Sequence, residues 1–249
     1  MSIRAILFDF DGVLVDSEPI HYRGFQEVLE PLGIPLSWEE YRARYMGYGD
    51  RDAFAKILEE KGVPFDGEKL RHLCRNKAEV VQRLWSDLKP LPGVIPFIEE
   101  AVPLYTLAVV SGALKEEVLT GLKILGIRKW ITVVVGAEDT ERGKPHPDPY
   151  LKACALLQDH FLSAGDPPLA PWEGVAIEDT VYGLRSARSA MLYTVGIRGN
   201  EPEEELQRYA DLVITSLEEL SPFDLDFLAS NENKTPIESL PHLSPEKET

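Results

Sequence analysis

At 249 residues the chain is long enough for one large domain or two modest ones with a sizeable core. Its 26 Lys+Arg against 42 Asp+Glu give a formal net charge of −16, which argues against sequence-independent nucleic-acid binding and against adsorption to anionic membranes. Such a surface also repels phosphorylated small molecules on average, so any ligand of that kind needs a local site that overrides the global field.

The first apolar run, Ile3–Phe8, is too short for a signal peptide, and no stretch approaches the ~18 apolar residues of a membrane span. A cytosolic protein is expected. Cys74 and Cys154 have no Cys or His at metal-ligand spacing, and two buried free thiols are expected.

From about Asp16 to Lys89 the pattern is helical throughout, with stretches at Pro19–Leu32, Trp38–Met46, Asp52–Lys61 and Glu68–Trp85 broken by glycine and proline. The Pro90-Leu91-Pro92-Gly93 stretch marks a stiff return. Four further short apolar runs follow, at Thr106–Val110, Ile131–Val135, Gly174–Ile177 and Leu192–Val195, and Leu212–Ile214 is a candidate sixth. Runs this short and apolar on both faces read as buried parallel strands. Amphipathic stretches alternate with them at Val94–Val102, Lys115–Leu125, Tyr150–Leu157 and Val181–Ala190. The fold class is therefore α/β, a doubly wound parallel sheet with a Rossmann-like core and an inserted all-helical subdomain. The expected division is 1–15 and 90–220 for the core, 16–89 for the insertion and 221–249 for a polar C-terminal tail forming a surface strap or a partly mobile extension. Held by two chain crossings, the insertion is expected to move as a lid.

Ligands of an open parallel sheet bind beyond the carboxyl ends of its strands. Here the first strand is followed by Asp9-Phe10-Asp11-Gly12, the second by Ser111-Gly112, the third by Gly143-Lys144-Pro145 and the fourth by Glu178-Asp179. Asp9 and Asp11 sit at i and i+2, so both carboxyls face one side. Four acids gathered there repel unless a cation lies between them, and oxygen-only ligands favour Mg²⁺. Ser111 and Gly112 are read as the start of a helix whose backbone N–H groups form an anion site. Lys144 is the counter-charge, and Glu178-Asp179 has the alternative reading of an N-cap.

The run Asp9-Phe10-Asp11-Gly12-Val13-Leu14-Val15-Asp16-Ser17, with Ser111, Lys144 and Glu178-Asp179 in order, resembles the four motifs of the haloacid-dehalogenase-like phosphohydrolases. The resemblance covers roughly Ile3 to Val195, and the helical insertion resembles the type-one cap of the subgroup containing β-phosphoglucomutase and phosphoglycolate phosphatase. It implies that Asp9 is the nucleophile, forming an aspartyl-phosphate, and that Asp11 is general acid and then base. It implies Mg²⁺ held by the Asp9 carboxylate, the Asp11 carbonyl and Asp179, with Glu178 in support, and phosphoryl oxygens held by Ser111, Gly112 and Lys144. Neighbouring carboxylates raise the pKa of Asp11 and a metal and Lys144 lower it, so the balance is open at this level.

His21, Arg51 within a specificity loop at Gly47–Phe54, and Lys77 match cap positions that meet substrate. The mutase has an arginine where this chain has Asp50, a departure that weakens the mutase assignment. The implied function is a Mg²⁺-dependent phosphatase acting on a small phosphorylated metabolite, a sugar or short-acid phosphate, in a monomeric protein. The alternatives are a phosphomutase of the β-phosphoglucomutase type and a non-catalytic phospho-accepting or binding module.

Overall fold

The computed structural model describes residues 2–46 and 48–231. Six strands, β1 (Ala5–Phe8), β2 (Thr106–Val110), β3 (Ile131–Val135), β4 (Gly174–Glu178), β5 (Tyr193–Ile197) and β6 (Leu212–Ile214), form one parallel sheet in the order β3-β2-β1-β4-β5-β6. The candidate sixth run is thus a strand. β1 is central: Ala5 pairs with Thr106 on one side and with Gly174 on the other.

The alternation along β1 divides the core. Ile6 and Phe8 pack on one face with α5 (Val94–Ala101) and α6 (Lys115–Ile124), where Phe97 meets Phe8 edge-on at 6.0 Å. Ala5 and Leu7 point to the other face, onto α7 (Asp148–Ser163) and α8 (Val181–Ser189). With helices on both faces, neither side of the strand needs polar residues, which is why β1 reads as a continuous apolar run.

Between β1 and β2 lie α1 (Glu18–Leu29), α2 (Trp38–Arg44), α3 (Asp50–Glu60) and α4 (Gly67–Leu84), the helical cap. Ser37 caps α2 by accepting from the Glu40 N–H at 3.1 Å, and Asp66 caps α4 by accepting from Lys69 N–H at 2.8 Å. These helices enclose a separate core around Phe25, Tyr41, Phe54 and Ile57, with Phe25 and Phe54 rings 4.8 Å apart. The two crossings to the sheet run side by side: Val15 bridges Pro90, and Leu91 N–H donates to Leu14 O at 3.1 Å.

The start of the tail is anchored to the core: Leu225 of the last helix (Leu225–Asn231) is fully buried in the sheet core, and Asp226 accepts from the Ile3 N–H at 2.6 Å. Residues 232–249 lie outside the described residues. One expectation is corrected here. Both cysteines are free, but only Cys154 is buried; Cys74 is half-buried on α4. Among the described residues no helix is long and apolar enough to cross a membrane.

Candidate active site

The ladder does not stop at the end of β1. The Asp9 N–H still donates to Ile177 O at 2.9 Å, so Asp9 leaves the sheet in strand geometry. Phe10 turns into the apolar core, which directs Asp9 and Asp11 together to the opposite side. Gly12 then makes the turn at φ +76, where a Cβ would overlap the Asp179 carboxylate. Glycine is required here twice over, by backbone conformation and by the close approach of the fourth strand end.

Asp9, Asp11, Ser111, Gly112, Lys144 and Asp179 line one cavity of about 580 Å³ between core and cap. Lys144 is held by three acceptors: Asp9 Oδ1 at 2.9 Å, Glu178 Oε1 at 2.6 Å and Val110 O at 2.9 Å. Burial opposes its charge, yet the Asp9 and Glu178 carboxylates outweigh that and hold its pKa above that of an ordinary lysine. The same burial raises Glu178 and Asp179 above the usual carboxylate range, with Asp9 adding like-charge repulsion to both. For Asp11 burial also wins: its carboxyl is pushed up to about 6, although Ser17 Oγ donates to it in a very short hydrogen bond. Desolvation is the largest influence on this carboxyl, and the neighbouring Asp9 carboxylate adds to the rise.

Oxygens of Asp9, Glu178 and Asp179 lie within 4.8 Å of one another. Glu178 Oε2 and Asp179 Oδ1 are buried without a hydrogen-bond partner among the described residues. Buried carboxylate oxygens without a partner, within a cluster of three acids, are what a hard divalent cation satisfies, and with no nitrogen or sulfur ligand the set fits Mg²⁺.

The helix after β2 starts at Lys115, where the Lys115–Leu125 stretch predicts it and not at Ser111-Gly112. Ser111 is not its N-cap; Ser111 Oγ accepts from Ala113 N–H at 3.0 Å in a local turn, and α6 starts at Lys115. The N–H groups of Leu114 and Lys115 are occupied by Glu117 at 3.2 Å and Glu138 at 3.1 Å. The helix end is therefore already neutralised by the chain's own acids, and the Gly112 backbone is what remains toward the cavity: a Cβ there would meet nothing within 4 Å. Nor is Asp179 an N-cap. Thr180 caps α8, accepting from Gly183 N–H at 3.1 Å, which leaves both acids for the site.

The three cap residues singled out in the sequence lie away from the walls of this cavity. Lys77 is 1% exposed, with Nζ against Asp50, 3.1 Å from His21 Nδ1 and 4.3 Å from the Phe25 ring centre. An ammonium can only donate, so His21 Nδ1 accepts and the imidazole is neutral. Burial and the Lys77 charge lower its pKa to about 4. Arg51 is exposed on the first turn of α3; Gly47, the start of the expected specificity loop, is outside the described residues, and Asp50–Phe54 is helical rather than loop. Two further groups of the site carry no signal in the sequence. Tyr150 of α7 donates to Glu178 Oε1 at 2.5 Å from a fully buried position, and Arg42 of α2 lines the cavity from the cap. A buried tyrosine looks like any apolar position on a helix, and an arginine near Arg44 looks like a solvated face.

Residues 6–197 match the family model described as haloacid dehalogenase-like hydrolase. The chain belongs to that family. A phosphorylated carbohydrates phosphatase of Thermotoga maritima is 28% identical over 190 residues, covering 76% of this chain and 82% of the relative. A phosphoglycolate phosphatase of Aquifex aeolicus is 30% identical over 217 residues, 85% of this chain and 95% of the relative. Among solved structures, CbbY of Rhodobacter sphaeroides in complex with phosphate superposes with a TM-score of 0.71 at 28% identity, over 88% of this chain and 96% of that one. The superposition on CbbY takes in nearly the whole of that chain.

Proposed function

We propose that the chain is a Mg²⁺-dependent phosphatase that hydrolyses a small phosphate monoester, a sugar or short-acid phosphate, through an aspartyl-phosphate on Asp9. The enzyme class is phosphoric monoester hydrolase. The observation that carries this reading is one ammonium, Lys144, bridging Asp9 and Glu178 on the wall of a cavity that also holds Asp11 and Ser111.

In the first step an Asp9 oxygen forms a bond to phosphorus while the bond from phosphorus to the ester oxygen breaks, and Asp11 delivers its proton to that leaving oxygen. In the second, Asp11 takes a proton from water, the water oxygen bonds to phosphorus, and the Asp9–phosphorus bond breaks. Ser111, the Gly112 N–H and Lys144 hold the equatorial oxygens; positioning and fixed charge supply most of the acceleration. Mg²⁺ held by Asp9, Asp179 and the Asp11 carbonyl, with Glu178 in support, would supply positive charge against the incoming dianion. A cytosolic setting belongs to the same reading and is supported by the two free cysteines.

A mutase would use the same covalent step but return the phosphoryl group to a sugar hydroxyl. Asp50, standing where that relative's loop carries an arginine, is engaged with Lys77 and speaks for the phosphatase. The test is release of inorganic phosphate from p-nitrophenyl phosphate and a panel of phosphate esters, with and without Mg²⁺, with Asp9→Asn as control. Metal-dependent release lost in Asp9→Asn is expected. Interconversion of hexose monophosphates that needs a hexose bisphosphate and releases no phosphate would replace this reading by the mutase.

A further inference from the structure

Lys144 and Tyr150 stand at the two ends of one stiff segment. Pro145, Pro147 and Pro149 alternate between them, each fixing its own φ, so the offset of the ammonium from the phenol is held by the backbone. Ser186 of α8 pins the segment midway by donating to the His146 carbonyl at 2.5 Å. Both ends close on a single oxygen. Glu178 Oε1 accepts from Lys144 Nζ at 2.6 Å and from the Tyr150 hydroxyl at 2.5 Å, and the ammonium lies 5.4 Å from the centre of the Tyr150 ring. Among the described residues these are the only two donors to the Glu178 carboxylate. Its other oxygen has no donor and packs on Gly183 of α8, where a Cβ would overlap it.

We propose that Tyr150 is a positioning residue for the phosphoryl transfer: its hydroxyl keeps the Glu178 carboxylate turned to Lys144, and thereby keeps the ammonium against Asp9. The inference rests on the phosphatase reading above and adds a residue that does not touch the substrate, since Tyr150 is fully buried and off the cavity wall. Glu178 is shared between two demands. Its oxygens belong to the acidic cluster with Asp9 and Asp179, and it is also the nearest partner of Lys144, closer than Asp9 and Val110 at 2.9 Å each. With Gly183 offering space and no donor on one side, the phenol is what fixes the plane of the carboxylate. Without it, Glu178 is free to pivot toward a cation, and Lys144 loses its shortest charge-assisted bond while the acidic cluster stays intact. The loss therefore falls on the ammonium and not on the metal.

The experiment compares the wild type, Tyr150→Phe, Glu178→Gln and the double variant. Tyr150→Phe keeps the ring beside Lys144 and removes only the hydroxyl. Its kcat for p-nitrophenyl phosphate should fall about tenfold or more, with KM and the calorimetric Kd for Mg²⁺ unchanged within error. In the Glu178→Gln background the same substitution should leave kcat unchanged, because the phenol acts through the carboxylate. The Lys144 ammonium, held by three acceptors, should give a slowly exchanging ¹⁵Nζ resonance, assigned by its loss in Lys144→Gln, that shifts or broadens in Tyr150→Phe. A wild-type kcat in Tyr150→Phe, a parallel loss of Mg²⁺ affinity, or an equal fall in the Glu178→Gln background overturns the assignment and leaves the phosphatase reading standing. If the wild type hydrolyses no ester, the phosphatase reading fails by itself. The ¹⁵Nζ resonance then decides for Tyr150, and one that is absent from the wild type or unmoved in Tyr150→Phe rejects it.

Discussion

The Tyr150 phenol and the Glu178 carboxylate, both fully buried, share a hydrogen bond of 2.5 Å that ties α7 to the end of β4. Glu178 in turn anchors Lys144 at 2.6 Å, so the phenol holds the site's central ammonium through one intermediary. Tyr150→Phe keeps the ring and removes the donor. A loss of about 1–3 kcal/mol is expected from the unsatisfied acceptor, read from urea unfolding at pH 7. A change within error would mean that the bond contributes nothing to holding Glu178.

Lys77 and Asp50 offer a double-mutant test. Asp50→Ala leaves a 1%-exposed ammonium without its carboxylate and should cost about 3 kcal/mol, the low end for breaking a buried pair because the Asp50 side chain is 41% exposed. Adding Lys77→Met removes the stranded charge and should restore much of that loss. If the two substitutions instead add as independent losses, the pair is not the strut joining α3 to α4.

His21 sets a pH dependence of stability. Its pKa falls from an ordinary 6.5 to about 4 in the folded protein. Above pH 6.5 both states are neutral there and nothing changes. Between 6.5 and 4 the unfolded chain binds a proton that the native protein refuses, so stability drops as pH falls through that window. Between pH 7 and pH 5 the wild type should lose about 2 kcal/mol more than His21→Leu in parallel urea titrations. Identical losses would show that His21 is protonated in the native state.

The three converging acids predict metal-linked stability. Mg²⁺ at a hundred times its dissociation constant should stabilise the fold by about 2.7 kcal/mol, seen as a rise in Tm that EDTA reverses. Asp179→Asn should abolish the rise. An equal rise in that variant would place the ion elsewhere.

Much of this protein can be read from its residues because its strands are apolar on both faces and sharply punctuated. The expected Thr106–Val110 and Ile131–Val135 coincide with β2 and β3, and Leu212–Ile214 with β6. The strand ends carrying Asp9, Ser111, Lys144 and Asp179 do converge on one cavity, since parallel topology places every carboxyl end on the same edge. Less was legible where a side chain's setting depends on distant helices. The burial of Lys77 follows from His21 and Asp50 arriving on α1 and α3, and no local pattern marks a helical lysine for that fate. Ser111-Gly112 reads as a helix start although it lies in the turn before α6, because Glu117 and not a hydroxyl reaches back to the Leu114 N–H at the true boundary. Arg42 reaches the cavity lined by Asp9 and Asp11 only through the packing of cap over sheet.

The central position of β1 bears on how the chain is made. Its partners start at Thr106 and Gly174, so during synthesis this fully buried strand emerges first and has nothing to pair with while the whole cap is translated. The cap helices carry their own apolar cluster and local contacts, and these form quickly. The nascent protein is therefore expected to present a folded cap beside an unpaired apolar strand. Asp9, attached to that strand, waits for residue 179 before the three acids can come together.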